Sequence, residues 1–141
     1  MYIFFRRTSP YPMLVNFDAP DSLTASVRRE RTNTPLQALN LLNDPVFIEA
    51  AQALALAVCQ DDAERRVERI FELTLGRSPS AQEAERISLF EQSERSRLSE
   101  DAEAAAKTAP FLPPGVTRAD LAAWTSVARG MMNLDEFVTR E

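Results

Sequence analysis

Two helix-start signals, ten residues apart, constrain this chain more than any other feature of its sequence. Thr34 and Pro35 suit the N-cap and the first helical position, and Gln37 completes a capping box. Asp44 and Pro45 repeat the cap-plus-proline start. We therefore expect one short helix to end just before Asp44 and a second helix to begin at once.

The remaining sequence carries helical periodicity and further caps, among them a second capping box from Ser80 to Glu83. Beyond the first short helix, helices are expected at about 45–59, 62–75, 80–98 and 117–132, and the alanine-rich stretch 99–108 suits another. The helix at 45–59 is apolar nearly all round and is expected at the centre. The apolar stripe of the helix at 80–98 fades after Phe90, so its last turns are expected to project into solvent. The predicted fold class is all-α, a compact orthogonal bundle of about five helices.

Residues 1–33 differ in character from the helical part. Pro10, Pro12 and Pro20 interrupt any helix, and each disfavours the α conformation in the residue before it. The sequence therefore predicts an extended N-terminal arm over residues 1–33, laid over a helical domain of residues 34–141. The chain of 141 residues has the size of one ordinary domain, so we expect the arm to belong to that same domain.

Composition excludes several classes of protein. There is no histidine, the commonest general base and metal ligand, and Cys59 is the single cysteine, so neither an internal disulfide nor a CxxC motif can form. The net charge of −5 argues against a nucleic-acid binder. Aromatic residues near the first arginines keep single-stranded nucleic-acid binding as a weaker hypothesis, which the acidic total opposes. No apolar run is long enough to span a membrane.

Catalytic patterns are also missing from the sequence. Without histidine or a Gly-x-Ser-x-Gly elbow, a nucleophilic triad has no support, and three glycines cannot make a phosphate-binding loop. Asp135 and Glu136 form the one acidic pair beside an apolar helix end, but the spaced pattern of a calcium loop is absent. We therefore predict no catalytic residue, no metal site and no cofactor, and for this chain alone we favour a non-catalytic role.

The candidate ligand-binding residues are Arg28, Arg29, Arg31 and Asn33. Residues 1–34 carry a net charge of +2, whereas the remaining residues carry −7. Guanidinium groups match carboxylate and phosphate oxygens, so these side chains can form an anion-binding cluster. The alternative, which the acidic balance favours, is that the arginines pair with acidic side chains of the chain itself and hold the arm in place.

Four stretches of the sequence resemble a known family. The longest is residues 28–47, and the others are residues 17–20, residues 75–79 with Glu83 following, and Trp124 leading into residues 133–141. On these residues the chain resembles the C-terminal domain of unknown function 1553, found in large planctomycete proteins that often carry a cytochrome-c-like module. The resemblance covers nearly the whole chain.

The resemblance implies a setting rather than an activity. The parent proteins are exported, which implies a periplasmic or otherwise exported location, and their haem-binding portion lies N-terminal to this region. Haem binding does not carry over, because this chain has neither a Cys-x-x-Cys-His motif nor a histidine for an axial ligand. The chain is therefore expected to be the C-terminal piece of a larger protein, or a truncated product that starts at an internal methionine. Its expected partners are the missing N-terminal modules, and exposed apolar faces favour self-association.

Two functions remain open on this evidence. The first is a non-catalytic structural or interaction domain at the C-terminal end of an exported multidomain protein. The alternative is part of an enzyme or binding module for polysaccharide or anionic ligands, in which Arg28, Arg29, Arg31 and Asn33 bind the anion.

Overall fold

A computed structural model describes residue 6 and residues 9–20, 27–28 and 32–139 of the chain. Within these residues the chain forms helices and no strand, so the predicted all-α fold class is confirmed. A 3₁₀ turn at Ala63–Arg65 precedes the fourth helix. The helices are α1 (Pro12–Asn16), α2 (Pro35–Asn43), α3 (Pro45–Cys59), α4 (Arg66–Leu75), α5 (Ala81–Glu100), α6 (Ala102–Thr108), α7 (Arg118–Met132) and α8 (Asp135–Val138).

The two predicted helix starts at α2 and α3 are confirmed. Thr34 Oγ1 accepts from the Gln37 amide at 3.3 Å, while Gln37 Oε1 accepts from the Thr34 amide at 2.9 Å. Asp44 caps α3 by accepting from the Val46 amide at 2.9 Å. The axes of α2 and α3 differ by 63° across this joint. Among the described helices none is individually long and apolar enough to cross a membrane, although α2 and α3 taken together meet that criterion by length and composition.

The centre of the described fold is α7, rather than the helix at 45–59 for which that place was expected. Nine of the residues of α7 are buried, and α3, α5 and α6 pack against it. The buried residues are Leu121, Ala122, Ala123, Trp124, Thr125, Val127, Ala128, Met131 and Met132. In α3, Glu49, Ala50 and Ala53 face solvent. Exposure of an alanine side chain costs little free energy, so a face rich in alanine can remain in contact with water. An apolar sequence therefore did not imply a buried helix.

The last turns of α5 pack against the bundle, whereas the sequence predicts that they project into solvent. Glu91 and Leu98 are buried. Together with Ile87 and Glu94 they recur at intervals of four, three and four residues, which places all four on one face of the helix. Two of these four positions hold glutamates instead of apolar residues. The apolar pattern in the sequence therefore ends before the packed part of the helix ends.

The N-terminal arm contains a short helix of five residues, α1, where extended segments and turns were predicted. Its first residue is Pro12, whose fixed φ suits the start of a helix. The buried Gln37 of α2 donates from Nε2 to the Asn16 carbonyl at 2.8 Å and to Thr32 Oγ1 at 3.0 Å. Thr32 in turn donates to the Asp18 carboxylate from its amide at 2.7 Å. The described part of the arm is thus hydrogen-bonded to α2, and the rest of the predicted arm lies outside the described residues.

Gly76 and Gly130 allow a paired test of the backbone. Gly76 ends α4 in the left-handed region with φ 71°, and a Cβ added there would meet nothing within 4 Å. We expect Gly76→Ala to destabilise the protein by about 1 kcal/mol, because only the backbone conformation is strained. Gly130 lies inside α7 with equally open space, so Gly130→Ala is expected to stabilise by about 0.5–1 kcal/mol.

Urea unfolding of both variants measures these two free energies. A Gly76→Ala variant that is as stable as the natural protein, or more stable, would contradict the assignment of Gly76 as a left-handed helix cap.

Candidate functional site

Arg77 is the hub of a polar cluster at the corner between α4 and α5. It directly follows the left-handed Gly76 and directly precedes Ser78, so its side chain leaves the chain at the turn. Arg77 Nε and Nη2 donate to the two carboxylate oxygens of Glu136 at 2.7 and 2.8 Å. Nη1 and Nη2 donate to the two oxygens of Glu83 at 3.0 and 2.7 Å, and Nη1 also donates to the Ser78 carbonyl at 3.2 Å. An arginine has five N–H donors, and all five of Arg77 are used inside the chain.

The cluster joins three parts of the chain. Glu83 is the third residue of α5, and it also completes the capping box of Ser80 by accepting from the Ser80 amide at 2.8 Å. Glu136 belongs to α8. The guanidinium carbon of Arg77 lies 5.4 Å from the ring centroid of Phe71 in α4, which is within cation–π range. One side chain therefore ties the end of α4, the start of α5 and α8 together.

A second hydrogen bond brings the start of α2 to the same place. Asn33, directly before the N-cap of α2, donates from Nδ2 to Asp135 Oδ1 at 2.5 Å. Asp135 and Glu136 are consecutive residues of α8. The carboxylate of Asp135 accepts the hydrogen bond from Asn33, and that of Glu136 accepts those from Arg77. Their partners come from 102 and 59 positions away along the chain.

The charges of this cluster stabilise one another. The hydrogen bonds from Arg77, and then those from Ser80, lower the pKa of Glu83 to about 2. Arg77 likewise lowers the pKa of Glu136. In return, hydrogen bonds to the two carboxylates raise the pKa of Arg77, and Glu136 has the larger effect. These shifts move all three groups further from neutral pH. Groups that hold their charge in this way are poorly suited to proton transfer near pH 7.

An open cleft of about 680 Å³ adjoins the cluster. Its acidic side chains are already engaged: Glu72 pairs with Arg69 at 3.1 Å, while Asp135 and Glu136 hold Asn33 and Arg77. Among the residues that the structure describes, no group of three or more histidine, cysteine or acidic side chains is arranged to hold a metal ion. The cleft is lined by Glu72, Leu73, Leu75, Gly76, Asp135, Glu136 and Thr139.

The structure describes two of the four predicted ligand-binding residues, Arg28 and Asn33. Arg28 is exposed, and Arg29 and Arg31 lie outside the described residues. Asn33 is exposed and bonded to Asp135. The anion-binding cluster of these four residues therefore stays a prediction, and the structure adds that Asn33 already has an internal partner.

No role for Arg77 was predicted from the sequence, although this residue lies in one of the stretches that carry the family resemblance. Glu83 was predicted only as a capping residue, and Glu136 only as one of an acidic pair. A local signal did exist, because an arginine that follows a helix-ending glycine and precedes a capping box can reach the carboxylate of that box. The contact with Glu136 had no such signal, since it spans 59 positions.

A family model described as PSD1, protein of unknown function (DUF1553), matches residues 1–90, well over half of the chain. The chain belongs to the DUF1553 family. Within this DUF1553 chain the matched range includes Asn33, Arg77 and Glu83, whereas α7 and α8 lie beyond it. Neither a search of curated proteins nor a search of solved structures found a match.

Arg77→Ala tests whether the cluster holds the corner together. We expect this change to lower the Tm, because it leaves two carboxylates side by side and separates α8 from α4 and α5. The matched control is Arg65→Ala, which removes an exposed pair with Glu68 whose atoms are 4.0 Å apart and which is expected to change the Tm little. Equal effects of the two changes would contradict a structural role for Arg77.

The same pair of proteins should show a defined pH dependence. The lowered pKa of Glu83 means that the stability it contributes is present above its ordinary pKa of 4.5 and is lost as the pH falls through about 2. The Tm advantage of the natural protein over Arg77→Ala is therefore expected to shrink below pH 4.5. An advantage that grows on acidification would contradict this reading.

Proposed function

We propose that this DUF1553 chain is a non-catalytic structural or interaction domain that forms the C-terminal end of an exported multidomain protein. Its task in this proposal is to present a rigid helical surface to the N-terminal modules of that protein. The resemblance to exported, cytochrome-c-associated planctomycete proteins supports the exported location and the nature of the partner.

The observation that carries this proposal is that the polar groups of the Arg77 cluster are hydrogen-bonded to one another. All five N–H donors of Arg77 bind acceptors of the chain itself, and the carboxylates they bind have lowered pKa values. A catalytic site needs a group that is free to bind substrate or to exchange a proton near neutral pH. This cluster offers neither, and its geometry suits the joining of helices.

A charge-poor apolar surface supports a role in interaction. Leu36 and Leu39 lie one turn apart on α2, Val46 is the second residue of α3, and each of the three side chains is more than half exposed. Within α2 there is no charged residue, and within α3 there is only Glu49. Exposed apolar side chains with few charges among them are typical of surfaces that meet another protein.

The double variant Leu36→Gln, Leu39→Gln tests this surface. The natural chain is expected to associate with the upstream part of its parent protein, supplied as a separate polypeptide, and the double variant is expected to lose that association at unchanged Tm and helical content. Size-exclusion chromatography with light scattering measures the masses of the chain alone and of the mixture.

Leu89→Gln is the control, because Leu89 is equally exposed on α5 but lies on another helix. The proposal fails if the natural chain does not bind the upstream polypeptide, or if the control loses binding as fully as the double variant. Association of the natural chain with itself alone would instead assign the surface to a homo-oligomer.

The anion-binding alternative is tested by Arg29→Ala and Arg31→Ala. If these arginines hold the arm in place, each change lowers the Tm. If they bind an anion, the Tm stays constant and binding to a sulfated polysaccharide such as heparin is lost, measured by isothermal titration calorimetry in low salt. The second outcome would replace the interaction proposal with a binding module for anionic polymers.

A further inference from the structure

Glu91 is a carboxyl group buried in the middle of α5. Its side chain is only 9% exposed, and Oε1 has no hydrogen-bond partner among the described residues. Burial of an ionised carboxylate without hydrogen bonds is unfavourable, whereas the protonated acid is neutral and can itself donate. The surroundings of Glu91 are therefore less favourable to its negative charge than water is.

Arg95, the nearest cation to Glu91 among the described residues, is shared between the carboxylates of Glu91 and Asp120. Arg95 Nη1 lies 3.6 Å from Glu91 Oε1 and 3.4 Å from Asp120 Oδ1, and the Arg95 side chain is 47% exposed. Asp120 stands at the start of α7, where its amide donates to the N-cap Thr117 at 3.1 Å. One partly solvated arginine cannot neutralise both carboxylates fully. With Glu91 protonated, Arg95 is left to Asp120 alone.

The charged and titratable groups that face Glu91 come from every helix that meets at this point. From the start of α4, Arg66 lies close but donates to the carbonyls of Asp61 and Cys59, both at 3.2 Å. From the end of α3, the Cys59 thiol is buried, and this burial raises its pKa to about 11, so it stays neutral. From α7 comes Asp120, and from α5 itself comes Arg95. None of these groups supplies a cation that belongs to Glu91 alone.

We propose that Glu91 is a proton-binding site that makes the packing of α5 on α7 depend on pH, tight when Glu91 is protonated and looser when it is ionised. Burial is the main cause that raises the pKa of Glu91; Arg95 opposes this effect, Asp120 adds to it, and Arg66 opposes it. A raised pKa in the folded state means that the stability from this group is present below the ordinary pKa of 4.5 and is lost as the pH rises through the folded value. This dependence is opposite in sign to that of the Arg77 cluster.

The loosening is expected to remain local. Leu98 of α5 and Ala105 of α6 are buried beyond Glu91 in the chain, and α6 packs on both α5 and α7. We therefore expect ionisation of Glu91 to act first on residues 91–108, whereas α2, from which no group faces Glu91, keeps its contacts. The proposal is independent of the partner suggested above, because it concerns a proton and a different face of the bundle.

Two measurements on the full chain test the proposal. The first is the side-chain carboxyl ¹³C shift of Glu91 against pH, for which we expect a midpoint above 4.5. The second is amide hydrogen exchange, expressed as protection factors so that the intrinsic pH dependence of exchange is removed. Protection in residues 91–108 is expected to fall several-fold across the same midpoint, with little change in α2.

Glu91→Gln keeps the shape of the side chain and cannot ionise, so its protection factors are expected to be independent of pH over that range. Its Tm should exceed that of the natural protein by roughly 3 °C or more at pH 7 and by less at pH 4. Glu85→Gln, at an exposed position of the same helix, is the control and should follow the natural protein.

A Glu91 midpoint at or below 4.5 would overturn the proposal. So would a fall in protection that persists in Glu91→Gln, since another group would then be responsible. If Glu91→Gln does not fold, the proposal is decided by the natural protein alone, through the agreement or disagreement of the ¹³C midpoint with the exchange midpoint.

Discussion

Burial of α7 is the interaction on which the other helices depend. Alanines at 122, 123 and 128 let the neighbouring helices approach closely, and the larger side chains of Val127 and Met131 fill the spaces between them. Burial of apolar surface contributes about 25 cal/mol per Å², so a helix buried along most of its length supplies much of the stability of a small domain. Because α3, α5 and α6 all pack on this one helix, it acts as their common core.

The Arg77 cluster contributes in a different way. Arg77 is 38% exposed, so water and salt screen its ion pairs. What the cluster fixes is geometry, because a planar guanidinium with two bidentate carboxylates permits few arrangements of α4, α5 and α8. The apolar core thus provides most of the stability, and the polar corner determines how the short terminal helix is placed.

The sequence predicted the starts of α2, α3, α5 and α7 correctly, whereas α4 begins at Arg66 after a 3₁₀ turn and not near residue 62 as predicted. Capping residues such as Thr34, Asp44 and Ser80 act within three positions, so their patterns identify helix starts without knowledge of the fold. Long-range features were missed, because Glu91 resembles a surface residue until α7 is placed beside it. The bond between Arg77 and Glu136 likewise appears only after folding.

The joint between α2 and α3 has a mechanical consequence. Asp44 is the single residue between the two helices, and it ends one and caps the other: its amide donates to the Asn40 carbonyl, and its carboxylate accepts from Val46. A linker of one residue that is hydrogen-bonded to the helix on each side has little conformational freedom. A force applied to the chain before α2 is therefore transmitted through this rigid joint to α3 and from there to α7. A flexible linker would instead extend under the same force.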